Sequence, residues 1–136
     1  LKDIDSVVCH PFTPADDFIS SAEGDFGLVW DGDSLDTCRG DFGEYLKYNS
    51  PHKVSFYIRA GLPVIIWRQA AVASIIEKEK IGFCIDTIDD IEKRLQSLSA
   101  SEYAEMKSNV RRVSDKLKEG GFLKEALDEA YRRLAL

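Results

Sequence analysis

The sequence predicts an α/β protein in which helices flank a parallel sheet. Apolar runs of five or six residues alternate with segments whose apolar residues recur every three or four positions. Two runs, Pro63–Trp67 and Ile81–Ile85, are uninterrupted, as is typical of parallel strands covered on both faces. The predicted order is β-α-β-loop-α-β-α-β-α-α-α, which favours right-handed crossovers. Because four strands are few for a doubly wound domain, we expect a domain that is incomplete at its start.

The boundaries of the predicted elements follow from start and stop signals along the chain. In order, they are a strand at Ile4–Cys9, a helix at Thr13–Ala22, a strand at Phe26–Trp30, a loop over residues 31–49, a helix that begins at Pro51 and ends before Gly61, a strand at Pro63–Trp67, a helix at Gln69–Lys80, a strand at Ile81–Ile85, and helices over residues 87–98, 99–119 and 122–134.

The first predicted helix has a capping signal at its amino end. Thr13 and Asp16 have the spacing of a capping box, and Pro14 stands at the first helical position, where no N–H is needed. After the next strand, residues 31–49 are rich in Gly and Asp, which indicates a loop. A loop of this length inside a compact domain is usually functional or mobile.

The helix after this loop is bounded on both sides. Ser50 is a suitable N-cap residue, and Pro51 suits the first turn. Gly61 suits the left-handed position beyond the helix, and Pro63 prevents its continuation.

Two later helices also begin with capping signals. Thr87 with Asp90, and Ser99 with Glu102, have the spacing of capping boxes. The pair of glycines at 120 and 121 ends the second of these helices.

Composition narrows the classes of function. The chain has 136 residues and a net charge of −6, which argues against nucleic-acid binding, because that requires a basic surface. Cys9, Cys38 and Cys84 are isolated, which favours a reducing, cytoplasmic compartment. They have no metal-ligand spacing with the two histidines, and the aspartates after Trp30 do not match a calcium loop. We therefore expect no metal and no other cofactor.

The strongest indication of a binding site lies at the start of the helix after the long loop. Ligands of parallel α/β sheets bind beyond the carboxyl ends of the strands. At that edge His52 and Lys53 place positive charge in a first helical turn, where the helix dipole already favours anions. A bound phosphate explains this placement, although Lys53 could also be an ordinary solvated residue.

Three stretches resemble the C-terminal domain of GT-B-fold glycosyltransferases. They are "FGLVWDG" (residues 26–32), "GEYLKYNSPHKVSFYIRAGLPVIIW" (residues 43–67) and "AAVASIIEKEKIGFCIDTIDDI" (residues 70–91). Within that class the sequence is most similar to bacterial galactofuranosyltransferase-like and adhesin-glycosylating glucosyltransferases.

The resemblance implies that residues 1–136 form a Rossmann-like, nucleotide-sugar-binding domain, truncated at its start. The donor would be a UDP-sugar, either UDP-galactofuranose or UDP-glucose, and a hexose would pass to a glycan or glycoprotein acceptor. The acceptor would bind an N-terminal domain absent from this sequence, so we expect the isolated chain to be inactive. Homo-oligomerisation and peripheral membrane association of the full-length protein are further expectations.

The resemblance also implies roles for individual residues, although it identifies no catalytic residue. Lys53 would contact the donor diphosphate, and Phe12 would lie near the uracil. Many relatives carry a Glu that holds the ribose hydroxyls where this chain has Phe56, so the ribose contact is left open. The candidate substrate-binding residues are Phe12, Asp31, Gly32, Tyr48, Asn49, Ser50, His52, Lys53, Arg68 and Gln69.

A second hypothesis needs no enzyme. A non-catalytic α/β regulatory or protein-interaction module would have the same strand and helix pattern. In that case the basic first turn is incidental, and the acidic loop over residues 31–49 is a partner surface.

Overall fold

A computed structural model of the chain describes residues 5–134. Within that range a three-stranded parallel sheet is flanked by helices. The elements, in chain order, are α1 (Ala15–Ser21), β1 (Gly27–Val29), α2 (Asp41–Tyr45), α3 (His52–Arg59), β2 (Val64–Trp67), α4 (Ala73–Glu79), β3 (Gly82–Ile85), α5 (Asp90–Ser97), α6 (Ala100–Lys118) and α7 (Gly121–Arg133).

The sheet confirms the predicted α/β class. Its strand order is β1-β2-β3, and both pairings are parallel, with Val29 opposite Ile66 and Ile66 opposite Cys84. Every residue of the central strand β2 is buried. Because all three strands run parallel, their carboxyl ends lie at one edge of the sheet.

The core lies on both faces of the sheet, which explains the uninterrupted apolar runs. On one face Val64 and Ile66 pack in a cluster with Val110 of α6, and all three are fully buried. On the other face Ile65 and Phe83 pack in a second cluster. Neither face of β2 therefore meets water, as expected of a central parallel strand.

Of the two later capping signals, the one at Ser99 forms and the one at Thr87 forms only in part, since α5 begins at Asp90 and its N-cap residue is Asp89. The Glu102 N–H donates to Ser99 Oγ at 3.2 Å, which closes the start of α6. Asp90 Oδ2 accepts from the N–H groups of Thr87 at 2.9 Å and Asp86 at 3.1 Å, and these bonds lower the pKa of the Asp90 carboxyl. Gly120 has a φ of +69° between α6 and α7, so it occupies the left-handed region.

The strand predicted at Ile4–Cys9 is wrong over its described part. Residue 4 lies outside the described residues, and residues 5–9 form a turn followed by irregular chain. Val8 is 73% exposed. A strand needs a neighbouring strand and a face to bury, and this segment has neither, so its apolar pattern is not sufficient.

Two predicted helix starts are also corrected. Thr13 does not cap α1; its hydroxyl donates to the Pro11 carbonyl at 3.3 Å, and the helix begins two residues later. Likewise Ser50 makes no capping bond to α3, and Pro51 precedes the helix instead of opening it. The end of α3 is as predicted, since Gly61 has a φ of +77°.

Two further boundaries differ because of tertiary contacts. The predicted loop contains the five-residue helix α2, which sequence signals miss because Gly43 lies inside it. The helix predicted from Gln69 begins only at Ala73. Before that point the Ala71 N–H donates to the Leu46 carbonyl at 2.8 Å, a bond to the distant α2 segment that replaces a helical one.

Candidate functional site

Polar residues follow each strand at the carboxyl edge of the sheet. Asp31 comes two residues after β1, Arg68 directly after β2, and Asp86 directly after β3. Helix α3 begins at the same edge, because it returns the chain from β1 towards the start of β2. This edge is where ligands of parallel α/β sheets bind.

The structure brings Lys53 and Asp31 together. Lys53 Nζ, in the first turn of α3, forms an ion pair with Asp31 Oδ1 after β1. The Lys53 side chain is 46% exposed and that of Asp31 is 27% exposed. The ammonium therefore points across the sheet edge, and a carboxylate there offsets its unfavourable position at the positive end of the helix dipole.

The first turn of α3 is open to a ligand that accepts hydrogen bonds. No side chain caps this helix. The Val54 N–H donates to the Pro51 carbonyl at 3.1 Å, so the N–H groups open to a ligand are those of His52 and Lys53. Ser50 and His52 are both exposed there. The His52 ring stacks on Phe56, with centroids 6.2 Å apart and planes 20° apart.

The residues before α3 differ in their exposure and in their hydrogen bonding. Tyr48 is 82% exposed. Asn49 is half-buried, and its Oδ1 is a buried acceptor without a hydrogen-bond partner among the described residues. Native proteins leave few such atoms unpaired, so each requires an explanation. Phe12 is 92% exposed and follows irregular chain, not the strand that was predicted before it.

Gly32 has a packing role that the sequence does not reveal. A Cβ at this position would lie 2.6 Å from Cys38 Cα. A Cβ at Gly43 would lie 2.3 Å from the Cys38 carbonyl oxygen. Both glycines let the loop fold tightly over buried Cys38, and this packing fixes the segment between Asp31 and Lys53.

Arg68 is directed away from Lys53, towards β3. Its Nε donates to Asp86 Oδ2 at 3.0 Å, its Nη2 to the Cys84 carbonyl at 3.1 Å, and its Nη1 to Glu77 Oε1 at 3.1 Å. The hydrogen bond to Asp86 raises the pKa of the guanidinium. Gln69 is exposed in the turn that follows. The candidate residues thus fall into a group near α3 and a separate group beside β3.

Cysteine chemistry is disfavoured at two of the three thiols. Burial raises the pKa of Cys84 to about 12 and also raises the pKa of Cys38. A thiol acts as a nucleophile or metal ligand only as the thiolate.

Over residues 5–134, no group of three or more His, Cys, Asp or Glu side chains is placed to hold a metal ion. In the same range no helix has the length and apolar character needed to span a bilayer.

Parallel strands joined by helices, with polar residues where the strands end, define a Rossmann-like class of domain whose ligands bind at that edge. The sequence model of the family described as "Glucosyltransferase 3-like, C-terminal domain" matches residues 1–130. The chain belongs to this family, and the resemblance noted in the sequence is confirmed.

Named relatives agree with this assignment. The chain is 40% identical over 104 residues to the beta-1,6-galactofuranosyltransferase WbbI of Escherichia coli (strain K12), a match that covers 76% of this chain and 32% of that protein. It is 34% identical over 109 residues to glucosyltransferase 3 of Streptococcus gordonii, covering 80% and 32% respectively. The chain thus spans about a third of the length of these relatives.

Proposed function

We propose that the chain is the donor-binding domain of a GT-B glycosyltransferase and that it binds a UDP-sugar at the start of α3. The observation that carries this proposal is Lys53, which lies in an uncapped first turn and points across the carboxyl edge of the sheet to Asp31. Family membership and the names of the relatives support transfer of a sugar. In this proposal the donor is UDP-galactofuranose or UDP-glucose.

The energetics favour a diphosphate at this position. A cation in the first turn costs about 0.3–1 kcal/mol against the helix dipole. A hydrogen bond between an ammonium and a phosphate contributes about 1.5–3 kcal/mol. The Lys53–Asp31 pair is partly exposed, and such pairs contribute only about 0–1 kcal/mol, so a ligand can displace the carboxylate at little cost.

The same groups serve the chemistry of transfer. As the bond to the sugar breaks, negative charge develops on the departing diphosphate, where the dipole of α3 and the Lys53 ammonium stabilise it. This mechanism requires no metal ion. Asn49, Ser50, His52 and Tyr48 flank the diphosphate at the helix start, and Asp31 with Gly32 borders the sugar.

Direct contact with the donor has less support from the structure for Arg68, Gln69 and Phe12. Arg68 already bonds Asp86, Glu77 and the Cys84 carbonyl, so in this proposal it shapes the β3 side of the sugar pocket and does not contact phosphate. The remainder of the full-length, cytoplasmic enzyme binds the glycan or glycoprotein acceptor, and transfer requires both parts.

Removal of the Lys53 ammonium tests the proposal. In titration calorimetry, Lys53→Ala is expected to weaken binding of UDP and of inorganic pyrophosphate by about 10- to 150-fold, because a charge-assisted hydrogen bond is lost. Lys78→Ala is the matched control, since Lys78 is exposed in the last turn of α4, at the opposite edge of the sheet. It is expected to leave both affinities unchanged. If UDP does not bind the wild-type chain, a non-catalytic α/β module becomes the better interpretation.

Removal of the Asp31 charge tests the other half of the ion pair. Asp31→Asn is expected to strengthen UDP binding several-fold, because a negative group beside the diphosphate is lost and Lys53 is released. If Asp31 accepts a hydrogen bond from a hydroxyl of the sugar, the affinity for UDP-glucose is expected to rise less than the affinity for UDP. Thermal unfolding checks that the variant is folded, and a loss of UDP affinity similar to that of Lys53→Ala would contradict this assignment of roles.

A further inference from the structure

A cavity lies between the carboxyl end of α3 and the second half of α6. Its volume is about 340 Å³. Because α3 begins beside Lys53 at the carboxyl edge of the sheet and ends before β2, this cavity lies at the opposite, amino edge. Its lining residues are Arg59, Ala60, Gly61, Arg111, Ser114 and Asp115.

Two guanidiniums and a buried hydroxyl flank this cavity. Arg59 Nη1 donates to Ser114 Oγ at 3.2 Å, which holds that guanidinium at the cavity wall. Ser114 is only 8% exposed, and while its Oγ accepts from Arg59, its O–H can donate to another group. Arg111 is exposed, and it forms no ion pair or side-chain hydrogen bond with any residue that the structure describes.

The end of the helix does not by itself explain these two arginines. Cations often compensate the negative end of a helix dipole, but here Lys107 does so, since its Nζ donates to the Gly61 carbonyl at 2.6 Å. Two guanidiniums and only one carboxylate, that of Asp115, line the cavity. The cavity therefore has an excess of positive charge, although the chain has a net charge of −6. Such an excess attracts anions.

We propose that this cavity binds a phosphate monoester, with Arg59 and Arg111 contacting its oxygens and the Ser114 hydroxyl donating to it. Guanidiniums recognise phosphate through pairs of parallel N–H···O bonds. The inference does not rest on the proposed function, because the site lies about 9 Å along α3 from Lys53 and at the other edge of the sheet.

The charge and the volume of the cavity favour this class of ligand. A phosphate monoester carries nearly two negative charges at neutral pH and three acceptor oxygens, so it can engage both guanidiniums and the hydroxyl at once. A carboxylate has one charge and two oxygens. Pockets that enclose a whole ligand begin at about 300 Å³, so this cavity holds the phosphate with a small group attached. That group belongs either to a soluble molecule or to a lipid headgroup.

Titration with inorganic phosphate, followed by amide chemical shifts, tests the inference. In the wild-type chain, at an ionic strength held constant with sodium chloride, we expect saturable shifts at Gly61 and Ser114. Arg111→Ala is expected to raise the phosphate Kd at these amides about 5- to 20-fold, because charge-assisted hydrogen bonds from an exposed side chain are lost. The variant is expected to fold normally, since Arg111 is exposed and contributes no bond among the described residues.

Three further variants assign the binding to this cavity. Arg112→Ala is the matched control, because it makes the same change one residue along α6, where the guanidinium donates to Glu79 Oε2 at 2.8 Å instead. It is expected to leave the phosphate Kd at Gly61 unchanged, as is Lys53→Ala. Asp115→Asn is expected to lower this Kd by about two- to fivefold, because a repelling carboxylate is removed.

Sedimentation with vesicles distinguishes the two sources of the phosphate. Vesicles that contain phosphatidic acid, whose headgroup is a phosphate monoester, are compared with vesicles of phosphatidylcholine alone. Binding to phosphatidic acid that is lost in Arg111→Ala assigns the ligand to a lipid headgroup. Saturable binding of inorganic phosphate without binding to either vesicle assigns it to a soluble phosphate ester.

Other outcomes overturn the inference. Shifts at Gly61 and Ser114 that are absent, that do not saturate, or that sodium chloride alone reproduces would show that the cavity is not a phosphate site. Equal effects of Arg111→Ala and Arg112→Ala would show that only the net charge matters. Phosphate shifts confined to the start of α3 and removed by Lys53→Ala would overturn this site and leave the proposed function standing.

Discussion

Gly82→Ala is expected to lower the free energy of unfolding by more than about 3 kcal/mol, the upper range for an overpacked site. A Cβ on Gly82 would lie 1.8 Å from the Val64 carbonyl oxygen and 2.7 Å from Val64 N. Gly82 pairs with Val64 at the start of the β2–β3 ladder. Because the obstructing atoms belong to the backbone of the central strand, no change of rotamer relieves the clash.

Denaturant unfolding of the variant measures this effect, and Gly61→Ala is the appropriate control. Gly61 has a φ of +77° but no atom within 4 Å of a built Cβ, so its substitution introduces backbone strain without a clash. Its expected cost is about 1–2 kcal/mol. Equal losses of unfolding free energy in the two variants would show that the close approach of Gly82 to the Val64 backbone is unimportant.

Leu46→Ala is expected to lower the free energy of unfolding by about 2–5 kcal/mol, because it leaves a cavity in the core. Leu46 is 1% exposed and belongs to the same cluster as Val64 and Ile66. It follows α2 directly, and its carbonyl accepts from the Ala71 N–H at 2.8 Å. Together with the fully buried Cys38, this side chain anchors the segment over residues 31–49 to the core.

Hydrogen exchange and denaturant unfolding together check the role of Leu46. Besides the global loss, we expect faster exchange at the Ala71 amide and more rapid proteolysis between Asp31 and Asn49. Leu35→Ala is the control, since Leu35 lies in the same segment but is 67% exposed. It is expected to change stability by less than about 0.5 kcal/mol. Unchanged exchange at Ala71 in Leu46→Ala would contradict the anchoring role.

The strands of the sheet were the most predictable part of the fold. "PVIIW" and "IGFCI" are uninterrupted apolar runs, and they form β2 and β3 with both faces of the sheet covered. Ser99 likewise caps α6 as predicted, since its Oγ accepts from the Glu102 N–H. These signals succeed because the local pattern agrees with the contacts that each segment makes in the folded chain.

The predictions failed where contacts distant in sequence determine the structure. Residues 5–9 have an apolar pattern but no neighbouring strand, so they do not form one. Residues 69–72 have helical propensity, but the Ala71 N–H bonds Leu46 and delays the start of α4. Helix α2 exists because Leu46 and Gly43 pack on the core, and its own five residues are too few to form a stable helix alone.

The candidate site was partly predictable for the same reason. The sequence selected Lys53 from its unusual charge in a first helical turn, and selected Asp31 from the resemblance. It did not show that the two side chains, 22 residues apart, form an ion pair, nor that Arg68 turns towards β3. The cavity between Arg59 and Arg111 gave no signal, because its residues come from two helices that meet only in the folded chain.

By itself, then, the sequence determined the α/β class, the two most buried strands, the capped start of α6 and the family, since each depends on local patterns of side chains. The tertiary structure alone decided how many strands pair among residues 5–134, where α2 and α4 begin, and which side chains meet beside Lys53. Those outcomes depend on packing and hydrogen bonds between segments far apart in the chain, and local propensity is too weak to fix them.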